Sequence, residues 1–420
     1  MSGFDDSGAE PVAVELPGGG MEAGSGSGAS VEAYRIPRQQ DWPAQAAPST
    51  SRIVFAAAHV VADPAAEHGP DSPSALDWNA TLAFRHRLWS LGLGVADAMD
   101  TAQRGMGLDW PTTRELIRRS GAEARSVGGA LACGAGTDQL AWPANPDDAA
   151  APDSGATADP LAPIIAAYEE QIEAVEQSGA QVVLMCSRAL AATARGPEDY
   201  ARVYGRLLEQ TSAPVILHWL GDMFDPALRG YWGAEDLDQA TEYVLDIIRE
   251  HAERIDGIKV SLLDAKREIA IRRALPANAR GGVRLYTGDD FNFPELIAGD
   301  DEGFSHALLG VFDPLAGPAA AALARLDTGD AAGFRAILDP LVPLARHIFA
   351  APTQYYKTGV VFLAYLSGYQ DRFAMVGGQQ QSRDVPHLVQ LFRMAAEAGV
   401  LPDAELAARR MRVFLAERGL

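Results

Sequence analysis

Between residues 52 and 311 a short apolar run recurs eight times, and stretches with helical spacing of apolar residues separate the runs. They fall at Arg52–Ala58, Gly94–Asp100, Gly128–Cys133, Gln181–Cys186, Pro214–Trp219, Ile255–Asp264, Gly282–Thr287 and Gly303–Val311. Apolar runs of this length, bounded by Gly, Pro and Asp, read as strands covered on both faces, which is the pattern of a parallel sheet under helices. Eight such units within about 260 residues predict an α/β chain closed into a (β/α)8 barrel. A doubly wound open sheet would need fewer strands and a nucleotide-binding loop, and the sequence has neither.

The flanks differ from this repeat. Residues 1–48 are rich in Gly, Ser, Ala, Pro and acids, lack an apolar period, and predict a disordered or loosely attached arm. The barrel is expected over residues 49–313. Residues 314–420 keep helical periodicity throughout and predict a C-terminal helical appendage packed on the barrel. A Pro-, Ala- and Asp-rich stretch at 141–162 reads as a surface insertion.

Charge and composition narrow the function classes. A net charge of -21 opposes polyanions, so neither nucleic acid nor an anionic membrane surface is an expected partner. No run approaches the ~18 apolar residues that cross a bilayer. The first residues lack a basic start followed by an apolar block, so no secretory signal is expected. Cys133 and Cys186 make neither a disulfide framework nor a zinc pattern. The expected setting is a reducing cytoplasm, with no metal and no cofactor.

Lysine usage points to chemistry. The chain holds 35 Lys plus Arg, but its lysines are only Lys259, Lys266 and Lys357. Arginine stays protonated, whereas a desolvated lysine can lose its proton and attack a carbonyl. Lys259 sits in the apolar sixth run, Ile255-Asp-Gly-Ile-Lys-Val-Ser-Leu-Leu-Asp264, and is a candidate Schiff-base residue. Lys266 reads as part of a solvated helix start, and Lys357 as either lining the site or snorkelling. In a (β/α)8 barrel the active site lies at the C-terminal ends of the strands. That rule gathers His59, Asp100, Thr101, Gly134, Thr137, Ser187, Arg188, His218, Ser261, Asp289, Asp290, Ser305 and His306 into a ring with Lys259.

Five short motifs in strand order resemble the dihydrodipicolinate synthase and N-acetylneuraminate lyase superfamily. Gly257-Ile258-Lys259 resembles its Gly-Ile-Lys, and Pro214-Val215-Ile216-Leu217-His218-Trp219 is similar to its Pro-x-x-Leu-Tyr-Asn. Gly288-Asp289-Asp290 resembles its Gly-Asp-Asp. Asp100-Thr101-Ala102-Gln103 falls where the family has Gly-Thr-Thr-Gly, and Gly134-Ala135-Gly136 resembles its Gly-x-Gly. The match runs from residue 50 to about 312 and suits a divergent branch of the superfamily.

The resemblance implies an imine between Lys259 and a 2-oxo acid, with Thr101 helping to bind the carboxylate. His218 replaces the relay tyrosine, Ala102 replaces the second threonine, and Met223 falls where the synthases carry an arginine. The lysine-pathway synthase activity is therefore not expected. Arg104 or Arg188 is a candidate for holding a substrate carboxylate instead. The resemblance also implies a homo-oligomer, dimer or tetramer.

The expected function is a Schiff-base lyase, aldolase or dehydratase acting on a small 2-oxo acid or sugar-derived carbonyl. Lys259, His218 and Thr101 are its expected catalytic residues. Asp100, Gln103, Arg104, Gly134, Gly136, Arg188, Ser261, Gly288, Asp289, Asp290 and His306 are the expected substrate-binding residues. Two alternatives remain open. His59, Asp63, His218, Asp222, Asp225, Asp289 and His306 could serve a metal-dependent barrel hydrolase or isomerase, and loss of the family tyrosine and arginine would suit a non-catalytic binding barrel.

Overall fold

The computed structural model describes residues 12–17, 31–140 and 159–420. Eight parallel strands close into a barrel in the order β10-β3-β4-β5-β6-β7-β8-β9. They are β3 (Val54–Ala57), β4 (Gly94–Asp97), β5 (Leu131–Ala135), β6 (Gln181–Leu184), β7 (Val215–Leu220), β8 (Ile255–Ser261), β9 (Arg284–Thr287) and β10 (His306–Leu309). Each falls inside one of the eight apolar runs or overlaps it closely. With helices on the outside, both strand faces are apolar, which is why the runs lack alternation.

Parity along the strands separates two environments. Ala132, Val183, Ile216, Tyr286 and Leu308 point inward and belong to a buried cluster of their own. Their neighbours Cys133, Leu184, Leu217, Leu285 and Leu309 face the helices and join the larger core. The same period of two puts Gly257, Lys259 and Ser261 on the inner face of β8. In register, His218 pairs with Lys259, and Lys259 pairs with Tyr286. The Tyr286 ring occupies the space that a Gly257 side chain would fill, 2.6 Å from an ideal Cβ, and plugs the barrel below Lys259.

The helices are capped as their sequences suggest. Asp77 accepts from Ala80 N at the head of Trp78–Ser90, and Asp109 accepts from Thr112 N at the head of Trp110–Val127. The first of these helices also delivers Arg85 into a fully buried bidentate pair with Asp97 at the end of β4. Asp97 further accepts from Ala98 N, where the chain turns through φ 51°. This pair anchors the loop that leads to Asp100 and Thr101.

After the barrel the chain forms helices at Ala316–Asp327, Ala331–Leu338, Val342–Ile348, Tyr356–Leu366, Val385–Glu397 and Ala404–Ala416. Tyr356–Leu366 is buried along its whole length, and its first residues reach the barrel mouth.

Within the N-terminal arm, residues 1–11 and 18–30 lie outside the described residues, as does 141–158 of the expected insertion. The described parts of the arm are paired rather than free. β1 (Ala13–Pro17) and β2 (Val31–Arg35) form an antiparallel pair. Tyr34 packs edge-on against Phe392 at 6.1 Å, and Trp42 Nε1 donates to Gly399 O at 2.9 Å.

One buried acid outside the barrel interior carries a stability prediction. Glu268 is fully buried and accepts from Thr287 Oγ1 at 2.9 Å and Ser305 Oγ at 2.8 Å. Burial pushes its carboxyl up to about 8 despite those bonds. The folded chain therefore keeps a proton that the unfolded chain releases above its ordinary value of 4.5, so stability falls as pH rises from there to about 8. Glu268→Gln keeps both hydroxyl partners and removes the titration. Its unfolding free energy is expected to exceed the parent's by about 4 kcal/mol at pH 8, with the difference falling below about 1 kcal/mol at pH 5. Urea titrations at the two pH values measure it, and a pH-independent difference would contradict it.

Candidate active site

Lys259 is 7% exposed and hydrogen-bonds to no protein atom among the described residues. Burial pulls its amine below the ordinary lysine value, while the carboxylates of Asp100 and Asp290 act in the opposite direction. Gly288 lets it pass: an ideal Cβ there would lie 2.8 Å from Lys259 Cε and closer still to Ser261 Oγ. Asp290 is itself buried, accepts from Val311 N at 2.8 Å, and is raised by that burial. Lys259 is thus buried within the field of two carboxylates, which oppose the effect of that burial.

Two hydroxyls lie near the same carboxylates. Thr101 Oγ1 and Tyr356 Oη are 2.8 Å apart, both buried. The Tyr356 ring stacks on Phe349 at 4.4 Å and meets Phe224 edge-on at 5.9 Å. Burial, then the charge of Asp100, raises its phenol well above the ordinary value, so it holds its proton at neutral pH. Tyr356 is fixed in place by those rings and is close enough to Asp100 and Asp290 to feel both.

Beside the strand ends a cavity of about 280 Å³ is lined by Asp100, Arg104, Gly136, Thr137, Met185, Ser187, Arg188, Leu220 and Asp225, among others. Lys259 does not itself line this cavity. Asp100 joins the two, because it stands on the wall and acts on the Lys259 charge. Thr137 Oγ1 and Ser187 Oγ are bonded at 2.6 Å on the wall, to which Leu220 and Leu228 add apolar surface.

The residues expected from sequence divide by what they touch. Asp100, Arg104, Gly136 and Arg188 are brought together on the cavity wall, while Lys259, Ser261, Thr101, Gly288 and Asp290 form the adjoining buried cluster. His218 joins the second group: its Nε2 lies 3.3 Å from Ser261 Oγ, and its Nδ1 has no partner. Burial and then the Lys259 charge hold the ring well below its ordinary value, so it is neutral at pH 7.

Other placements correct the expectation. His306 is the first residue of β10, so it lies at the N-terminal mouth of the barrel, where its Nδ1 accepts from Ile53 N at 2.9 Å. Arg104 has no donor to spare for a substrate, since it binds both oxygens of Asp138, Gln171 Oε1, Ala98 O and Gly134 O. Gly134 therefore serves as an acceptor behind the wall. Gln103 donates to Met106 O and Val376 O and holds a loop in the left-handed region at φ 66°. Asp289 caps the turn at Phe291 and Asn292.

His59 bonds Asp313 through Nδ1 at 2.8 Å, away from the other histidines. No group of three or more His, Cys, Asp or Glu side chains is arranged to hold a metal ion among the described residues. No helix among them is long and apolar enough to cross a membrane.

Tyr356 and Lys357 escaped the sequence ring because they follow the barrel. A signal existed: Tyr355-Tyr356-Lys357 heads an apolar helix and carries one of three lysines in the chain.

Solved structures with this architecture are numerous. YagE, a prophage protein belonging to the dihydrodipicolinic acid synthase family from E. coli K12 and solved with pyruvate, aligns with a TM-score of 0.63 at 12% identity, over 84% of this chain and 100% of that one. Dihydrodipicolinate synthase from Thermotoga maritima aligns at 0.60 and 14% identity, over 83% and 99%. The 4-hydroxy-tetrahydrodipicolinate synthase of Methylacidiphilum fumariolicum aligns at 0.59 and 14%, over 86% and 99%. At these identities the likeness establishes the fold, and it agrees with the resemblance drawn from the strand-end motifs. No curated protein matches the sequence. Residues 25–420 match the family described as Protein of unknown function (DUF993), and the chain belongs to that family.

Proposed function

We propose that the protein is a Schiff-base lyase or aldolase that makes or breaks a carbon–carbon bond, or eliminates water, next to the carbonyl of a small substrate held on Lys259. The observation that carries the reading is the environment of Lys259: a buried amine lowered from its ordinary value, free of protein hydrogen bonds among the described residues, and within the field of Asp100 and Asp290. A lysine buried at this depth without a chemical role would be a cost to the fold.

The steps follow from that environment. The neutral amine adds to the carbonyl carbon; the nitrogen gives up one of its protons and the carbonyl oxygen takes one, which gives a neutral carbinolamine. Its hydroxyl takes a second proton and leaves as water while the nitrogen lone pair forms the double bond of the iminium. The iminium then accepts the electron pair of the adjacent bond that breaks, or its enamine supplies the pair for the bond that forms. Thr101 and Tyr356 are the groups suited to carry the proton to and from the substrate oxygen, since a protonated phenol bonded to a hydroxyl can pass a proton without a net charge change. Asp290, raised by burial, is a second proton carrier beside the amine. His218, neutral and turned to Ser261, acts by positioning the residues on β8.

The 2-oxo acids and sugar-derived carbonyls are the substrate classes to test, and association of copies into a homo-oligomer belongs to the same proposal. Incubation with a panel of both classes followed by borohydride reduction is expected to add the reduced substrate's mass to the intact chain for at least one member. A panel covering both classes that leaves the mass unchanged would overturn the reading.

A further inference from the structure

Lys357 is a buried cation with few partners. It is 4% exposed, at the head of the helix Tyr356–Leu366. Its ammonium has three hydrogens, yet its partners are Gln354 O at 3.1 Å and the poor acceptor Met106 Sδ at 3.5 Å, with the face of Tyr356 at 4.6 Å. Burial lowers the amine to about 8, which still leaves it mainly charged at pH 7. The carboxylates of Asp100 and Asp225 favour that charge and the Arg188 guanidinium opposes it.

Arg188 approaches the same loop from another element. Its Nη1 donates to Gly105 O at 3.4 Å, one residue from the Met106 that touches Lys357. Its Nε is bonded to Asp225 Oδ2 at 2.6 Å, and its Nη2 has no protein acceptor among the described residues. Asp225 is further committed to Ala227 N at 3.2 Å. Asp100, Asp225, Arg188 and Gly105 all line the 280 Å³ cavity.

We propose that Lys357 and Arg188 form a subsite for an anionic group, carboxylate or phosphate, carried by the part of the substrate remote from the imine carbon. The inference rests on the lyase reading above and gives it a substrate class: a carbonyl compound with an anion at its far end. Unused donors give the reason. Lys357 makes one bond to an oxygen, Arg188 leaves its Nη2 without a protein acceptor among the described residues, and an anion between them uses both. Both cations sit against the overall field of a chain with net charge -21, so the recognition is local. The arginine is planar and forked, which suits either a carboxylate or a phosphate.

The test uses anions that cannot form an imine, so it reads the subsite independently of the lyase chemistry. Isothermal titration of the full chain with inorganic phosphate and with malonate is expected to show binding of at least one. Lys357→Met and Arg188→Gln should each weaken it by about tenfold or more, and Lys357→Arg should retain it. Preference for phosphate assigns a phosphorylated substrate, and preference for malonate a carboxylated one. Binding of neither anion, or binding that survives both Lys357→Met and Arg188→Gln, overturns the subsite. Anion binding with the expected variant pattern but no borohydride adduct would leave the subsite standing and remove the imine reading alone.

Discussion

Replacing Lys259 with methionine is expected to abolish turnover of any carbonyl substrate that the protein accepts, by at least about 10³-fold, while the chain stays folded. The amine is the only group in the buried cluster able to form an iminium, so no neighbour substitutes for it. The fold tolerates the change for a separate reason. Methionine fills the channel left by Gly288 with a flexible apolar side chain. Asp290, already raised by burial, takes up a proton rather than standing as an uncompensated charge. The thermal midpoint should therefore move by no more than about 4 °C in either direction. Steady-state kinetics beside a melting curve give the two readouts. Turnover that survives in a well-folded variant would remove Lys259 from the chemistry, and a collapsed midpoint would show that its role is structural.

The second large effect is at Tyr356. Tyr356→Phe keeps the ring stacked on Phe349 and against Phe224 and deletes only the hydroxyl bonded to Thr101. If the phenol transfers a proton during carbinolamine breakdown and bond cleavage, turnover should fall by about 10²–10³-fold. Borohydride trapping should persist at long incubation, because the amine remains. Thr101→Val should lower turnover less, and the double variant should be little slower than Tyr356→Phe, since the two hydroxyls act as one path. Additive losses from the two substitutions would separate them and leave the phenol with a packing role.

The barrel was legible because burial on both strand faces writes itself as uninterrupted apolar runs, and the bounding Gly, Pro and Asp residues separate them. The inward direction of Lys259 also follows from simple parity, once Ile258 and Val260 are assigned to the helix-facing core. His306 shows where such reading fails. The eighth apolar run gives no sign of which end carries the polar residues, and the strand begins at His306 instead of ending near it. Arg104 fails differently. As a residue in a loop it looks available, but its donors are consumed by Asp138 and Gln171, whose approach depends on the folded chain. Tyr356 and Lys357 lie more than 90 residues beyond β8 in a segment with no strand rule to place them. The arm at residues 13–35 was opaque because each of its strands is short and its packing partner, around Phe392 and Arg393, lies at the far end of the chain.

The chain's scarcity of lysine makes one measurement especially direct. Only Lys259, Lys266 and Lys357 could carry an imine through a side chain, and two of them, Lys259 and Lys357, are buried amines lowered from the ordinary value. After borohydride reduction with a substrate that adds mass to the intact chain, proteolysis and peptide mass spectrometry assign the adduct to one of the three. The account predicts that it resides on the peptide containing Lys259 and disappears in Lys259→Met. An adduct on Lys357, or one unchanged by loss of Lys259, would contradict it.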